Sequence, residues 1–141
     1  MTIPREYVDA SKDFDRFILD VRDTCMLSTH HQAYHTLRAV LHVFRAHLEV
    51  ADALRFADVL PPVVRAIYVE DRVPAPPSPF PDPVTLQAEV WAVRANHNVA
   101  PVTAIADVAA ALRRAVDPHD FDRCLGGLPA GAAAYWAASD P

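Results

Sequence analysis

The chain has 141 residues, of which 52% are hydrophobic and 22% charged, and a formal net charge of −5. That length is one ordinary domain, or two very small units that must share a core, and the composition is globular and not disordered. The acidic balance and the scatter of the basic residues exclude a nucleic-acid binder, which needs a Lys/Arg surface to displace counterions, and they disfavour docking on an anionic membrane.

The opening text, MTIPREYVDASKDFDRF, lacks the charged region and apolar run of a secretory signal, and no apolar stretch reaches the roughly 18 residues of a membrane span. A soluble, cytoplasmic protein is the expectation. Cys25 and Cys124 lie far apart without CxxC spacing, so both are expected to be reduced and mostly buried.

With only three glycines and no convincing alternation at period two, the pattern predicts helices throughout. Residues 12–25 carry Phe14, Phe17, Ile18 and Val21 on one stripe, with Ser11 as N-cap. A second helix over 29–47, capped by Ser28, places Ala33, Leu37, Val40, Leu41, Phe44 and Leu48 on a core-facing arc. A third helix follows over 50–59. Leu60 must end it, because the residue before a proline is pushed out of the α region. Pro61 then opens a fourth helix at its first position, where a missing N–H costs nothing. Leu-Pro is therefore a corner that turns Leu60 inward.

Residues 71–83, DRVPAPPSPFPDP, hold six of the thirteen prolines and are expected to form an extended, semi-rigid strap. Beyond it the pattern begins again, with helices over 84–95, 100–116, 118–125 and 129–138; Leu86, Val90 and Val93 face inward on the first. At one fixed offset, without a gap, Val40 aligns with Val108, Arg45 with Arg113, Asp52 with Asp120 and Arg55 with Arg123. The same offset sets Leu60-Pro61 on Leu128-Pro129 and Tyr68 on Trp136. Gly126-Gly127 offers a C-cap tolerant of positive φ before the second corner. The expected architecture is all-α: eight helices as two four-helix repeats with pseudo-two-fold symmetry. Residues 1–70 and 84–141 form the repeats, joined by the strap and co-folded, since units that small are marginal alone.

This text resembles the bacterial domain-of-unknown-function family 2267. The residues that carry the likeness are FILDV (17–21), AVLHVF (39–44), LPPVVRAIY (60–68) and, more faintly, LPAGAAAYW (128–136). The resemblance implies tandem helical repeats over most of residues 14–137. Its motifs are packing motifs and transfer no catalytic residue. One departure is VEDRVP (69–74) where members often have a Gly-Trp-x-Pro-like turn.

Chemistry is sparse. His31, His35 and His42 form a stripe on the second helix, and an i, i+4 pair can chelate a divalent metal, although no third ligand or supporting carboxylate has an evident spacing. The stripe lies well away from the apolar arc, so a solvated polar face is the plainer reading. His119 decorates a helix start. Cys25 near His30 and His31 reads as burial at a helix end, and carboxylates such as Asp13, Asp20 and Asp23 as a solvated face. Trp91 stands off the stripe of its helix; packing on the strap, contact with the other half, or an exposed anchor for a partner all fit. The sequence points to a non-enzymatic helical protein, without cofactor, acting through contacts with an unidentified protein or with itself as a homodimer. The alternative is a protein that binds a small ligand or divalent metal in a cleft between the repeats or on the His stripe.

Overall fold

Prolines and short apolar stripes together cut the chain into short helices. The computed structural model describes residues 2–73, 75–93 and 100–137, and within them there are nine helices and no strand. The extra one is α1 (Arg5–Val8), a single turn that follows Pro4 and buries no side chain. Helix α2 (Ala10–Thr24) starts behind Asp9 and not behind Ser11; Phe17, Ile18 and Val21 are buried as expected, and Phe14 is half-buried. It ends in a Schellman turn. Leu27 N–H donates to the Arg22 carbonyl at 2.8 Å and Met26 N–H to that of Asp23 at 3.1 Å, with Met26 at φ 56°.

Helix α3 (His30–Ala46) takes Thr29 as its cap in place of Ser28. The Thr29 hydroxyl accepts the Gln32 N–H at 3.1 Å, and Gln32 Oε1 reaches back to the Ser28 N–H at 2.9 Å. All six residues of the expected apolar arc are buried. So are Thr36, Ala39, Val43 and Arg45, because α2, α5, α6 and α7 all pack on this helix.

Helices α4 (Val50–Ala57) and α5 (Pro62–Val69) meet at the expected corner, with Leu60 only 2% exposed. Pro61 is the N-cap and Pro62 the first helical residue, one position later than expected. After the strap come α6 (Pro83–Ala92), α7 (Ala104–Ala115), α8 (Pro118–Gly126) and α9 (Ala132–Tyr135). Asp82 caps α6 by accepting the Thr85 N–H, and Pro83 sits at its first position. Val93 is exposed and not inward, and Ala95, where that helix was expected to end, lies outside the described residues. Helix α7 begins four residues later than expected, because Pro101 opens a turn in which Ala104 N–H bonds the Pro101 carbonyl.

The second Leu-Pro departs most from its counterpart. Pro129 does not open a helix; the chain turns first, and α9 begins after Gly131 at φ 97°. Gly126-Gly127, expected to offer a C-cap tolerant of positive φ, does cap α8, but Gly127 does so at φ −94°. The strap explains the shift: a Cβ on Gly131 would lie 2.6 Å from Phe80 Cβ, so only glycine lets the two segments pass.

Phe44 of α3 sits at the centre of the core, with the rings of Phe56, Tyr135, Trp136 and Phe80 between 4.6 Å and 5.5 Å away. Trp136 stacks on Phe56, and the Tyr135 hydroxyl donates to the Val40 carbonyl at 2.6 Å. The strap is pinned by His47, whose buried ring lies 4.9 Å from Phe80; Nδ1 is 3.0 Å from the Ser78 carbonyl and Nε2 is 3.1 Å from the Glu89 carboxylate.

Arginine terminates the helices. Arg45 donates to the carbonyls of Tyr68 and Glu70 at the end of α5, Arg72 to those of Arg45 and Leu48 at the end of α3, Arg65 to those of Ala57 and Leu60 at the end of α4, and Arg113 to that of Trp136 after α9. Last-turn carbonyls have no partner within their own helix, and a planar cationic fork can reach two at once. Lys12 is the lone lysine of the chain.

Two substitutions should move stability in opposite directions. Met26→Gly relieves a left-handed residue and should stabilise by about 1 kcal/mol. Gly131→Ala adds both left-handed strain and the Phe80 clash and should cost about 2–4 kcal/mol. Urea unfolding of both variants against the parent chain checks the signs.

Candidate functional site

A cleft of about 930 Å³ opens where three parts of the fold converge. One wall is the outer side of α2, with Asp13, Phe14 and Asp20. The second is the α4–α5 corner, with Asp58, Val59, Leu60 and Val63. The third is the α7–α8 junction, with Arg114, Val116, Asp120 and Cys124. Its floor is apolar: Phe14, Val59, Val63 and Val116 are partly exposed side chains packed against the main core. The Leu60-Pro61 turn thus forms one wall besides turning the chain.

The polar groups of the cleft hold the walls together. Arg114 on α7 forks onto Asp20 on α2, with Nε–Oδ2 and Nη2–Oδ1 both 2.9 Å, and also donates to Thr24 Oγ1 at 2.9 Å. The Arg114 hydrogen bonds hold the Asp20 carboxyl below its usual range, against the opposing effect of partial burial. Asp20 is therefore a clasp between α2 and α7 and not merely part of a solvated face. Asp117 accepts the backbone N–H groups of His119 and Asp120 at the start of α8, which keeps its carboxyl low as well.

Cys124 is half-buried in the third wall and its thiol donates to the Arg55 carbonyl at 3.7 Å; burial raises its pKa. A thiol so disfavoured as thiolate is a poor nucleophile. Among the described residues, no histidine lines the cleft to deprotonate it. The arrangement presents an apolar floor and a charged rim.

Other singled-out residues lie elsewhere. The rings of His31 and His35 meet edge to face at 4.4 Å, whereas His42 is half-buried with Nε2 2.8 Å from the Ile67 carbonyl, and burial lowers its pKa. Among the described residues, no group of three or more His, Cys, Asp or Glu side chains is gathered as a metal ion would need. Trp91 is 48% exposed on α6. Cys25 is buried at the end of α2, where burial pushes its thiol up to about 12. No helix among the described residues is long and apolar enough to cross a membrane.

The sequence offers a cleft between the repeats as an alternative, without the residues that line it. Its only trace was a set of apolar residues at the margins of the core stripes, Phe14, Val59 and Val63, which a stripe analysis assigns to the core or leaves aside.

The profile of a family described as an uncharacterized conserved protein, DUF2267, matches residues 14–135. The chain belongs to the DUF2267 family. The match runs from Phe14 in the first wall through Tyr135 in α9, so the DUF2267 region takes in the second and third walls and the first from Phe14 onward. Among curated proteins, none matches the chain.

Because folding holds the Asp20 carboxyl below its unfolded value, its stabilisation is complete above roughly pH 4 and is lost as pH falls through the folded value. Asp20→Asn should therefore melt earlier than the parent chain at neutral pH, by at most about 1 kcal/mol because the pair is partly exposed. The gap should close in acid, as thermal melts from pH 7 to pH 2 would show.

Proposed function

We propose that the chain is a non-catalytic binding protein that seats a segment of a partner protein in the cleft between α2, the α4–α5 corner and the α7–α8 junction. The observation that carries this reading is the open apolar floor among three helical walls, with a rim of exposed charged side chains. Pockets of several hundred Å³ with an apolar lining and a few polar groups are the usual form of binding sites. An open-sided groove suits a chain segment that continues past its ends better than an enclosed small molecule.

The reading includes an internally duplicated architecture, with residues 1–70 and 84–141 as co-folded units joined by 71–83. Several aligned pairs support it. Arg45 donates to the carbonyl of Tyr68 at 2.8 Å, and Arg113 to that of Trp136 at 2.7 Å. Asp52–Arg55 and Asp120–Arg123 form the same ion pair, both at 3.3 Å. Helix α2 packs on α7 as α6 packs on α3, and α4 packs on α8. On this reading the cleft lies at the seam between copies, a common place for a binding site.

The test is selection of short peptides from a random display library on the full chain, followed by titration calorimetry. Selected peptides should shield Cys124 from alkylation while Cys25 stays buried and inert. Val63→Arg should weaken them by about 30-fold while leaving the helical circular dichroism intact. Peptides that leave Cys124 open and ignore Val63→Arg would place the binding surface elsewhere and sink the reading.

A further inference from the structure

The charges lining the cleft are unequally committed. Each of its four guanidiniums already faces a carboxylate: Arg114–Asp20 at 2.9 Å, Arg55–Asp52 and Arg123–Asp120 at 3.3 Å, and Arg16–Asp13 at 3.7 Å. Three lining carboxylates have no cationic side chain within ion-pair distance among the described residues: Glu6 on α1, Asp58 at the end of α4, and Asp117 at the start of α8. All three are exposed: Asp58 and Asp117 belong to the second and third walls, and Glu6 lines the cleft from α1. Asp117 accepts two backbone N–H groups, yet it remains a carboxylate facing solvent.

We infer that the segment received by the cleft is a basic amphipathic one, its apolar face on Phe14, Val59 and Val63 and its lysines or arginines toward Glu6, Asp58 and Asp117. This inference rests on the cleft reading above and adds the partner's chemistry to it. An acidic segment would have to draw a guanidinium away from its existing carboxylate, Arg114 above all, and would face three unpaired like charges. A basic segment meets carboxylates that have no cation to give up. The surplus charge lies on exposed groups, so it acts through steering and discrimination more than through affinity, and salt must weaken it.

The experiment uses the full chain and three synthetic helical peptides that share one leucine stripe and carry lysine, glutamine or glutamate on the other face. Binding is read by fluorescence anisotropy and by protection of Cys124 from alkylation. The lysine peptide should bind tightest and protect Cys124, and its affinity should fall as salt rises. Asp58→Lys should weaken it about 3- to 10-fold while leaving the glutamine peptide nearly unchanged. A glutamate peptide that binds as well as or better than the lysine peptide, or lysine-peptide binding indifferent to both salt and Asp58→Lys, overturns the charge assignment. If Val63→Arg still abolishes binding in that case, the cleft reading survives. Failure of all three peptides to protect Cys124 overturns both.

Discussion

Backbone carbonyls at the ends of short helices govern how this chain is built. Each helix end leaves a turn of carbonyls without partners, and a fold made of helices such as α4, α5 and α8 has many such ends for its length. Three glycines cannot cap them all. The chain uses guanidinium forks instead, and each fork comes from another element: Arg45 on α3 closes α5, Arg72 in the strap closes α3, and Arg113 on α7 closes α9. Capping is thereby tertiary. The helix ends and the packing of their neighbours become one cooperative event, since removing a fork exposes carbonyls and also releases an element. Burial of Arg45 is tolerated because its charge is spent on the carbonyls at the end of α5; desolvation and the nearby Arg72 and Arg38 lower its pKa without neutralising it.

This explains which parts of the fold were legible beforehand. The apolar arc of α3, the Leu60 corner and the proline-opened start of α8 follow from periodicity and from local steric rules, and a window of a few residues contains them. The second Leu-Pro corner misled, because its geometry is set by Phe80, a residue distant in sequence that passes over Gly131. The cap of α3 moved from Ser28 to Thr29 for a local reason, the reach of Gln32 back to Ser28, which spacing alone leaves degenerate. The burial of α3 on nearly every side was hidden for a third reason. Amphipathic reasoning assigns one face to the core, whereas four helices pack on this one, and the positions between its stripes are small or bonded side chains such as Ala39, Thr36 and Arg45.

The cleft belongs to the same class of hidden feature. It is made of residues that sequence reading spreads over core stripes, corners and solvated faces, and it lies where the end of α4 and the start of α8 meet the side of α2 that is clasped to α7. Among its polar groups, Arg114, Asp20 and Thr24 join two of the walls. The His31 and His35 pair, the sharpest feature of the sequence, stands on α3 and contributes nothing to the cleft lining.

Tyr135 and Trp136 close the aromatic centre around Phe44 and Phe56, although about ninety residues separate them along the chain. During synthesis, the rings of α3 and α4 therefore emerge from the ribosome well before the last two rings that cover them. Every nascent length that stops short of Trp136 carries an unfinished, sticky interior. Apolar surface left open in that way is prone to aggregate until the last rings arrive.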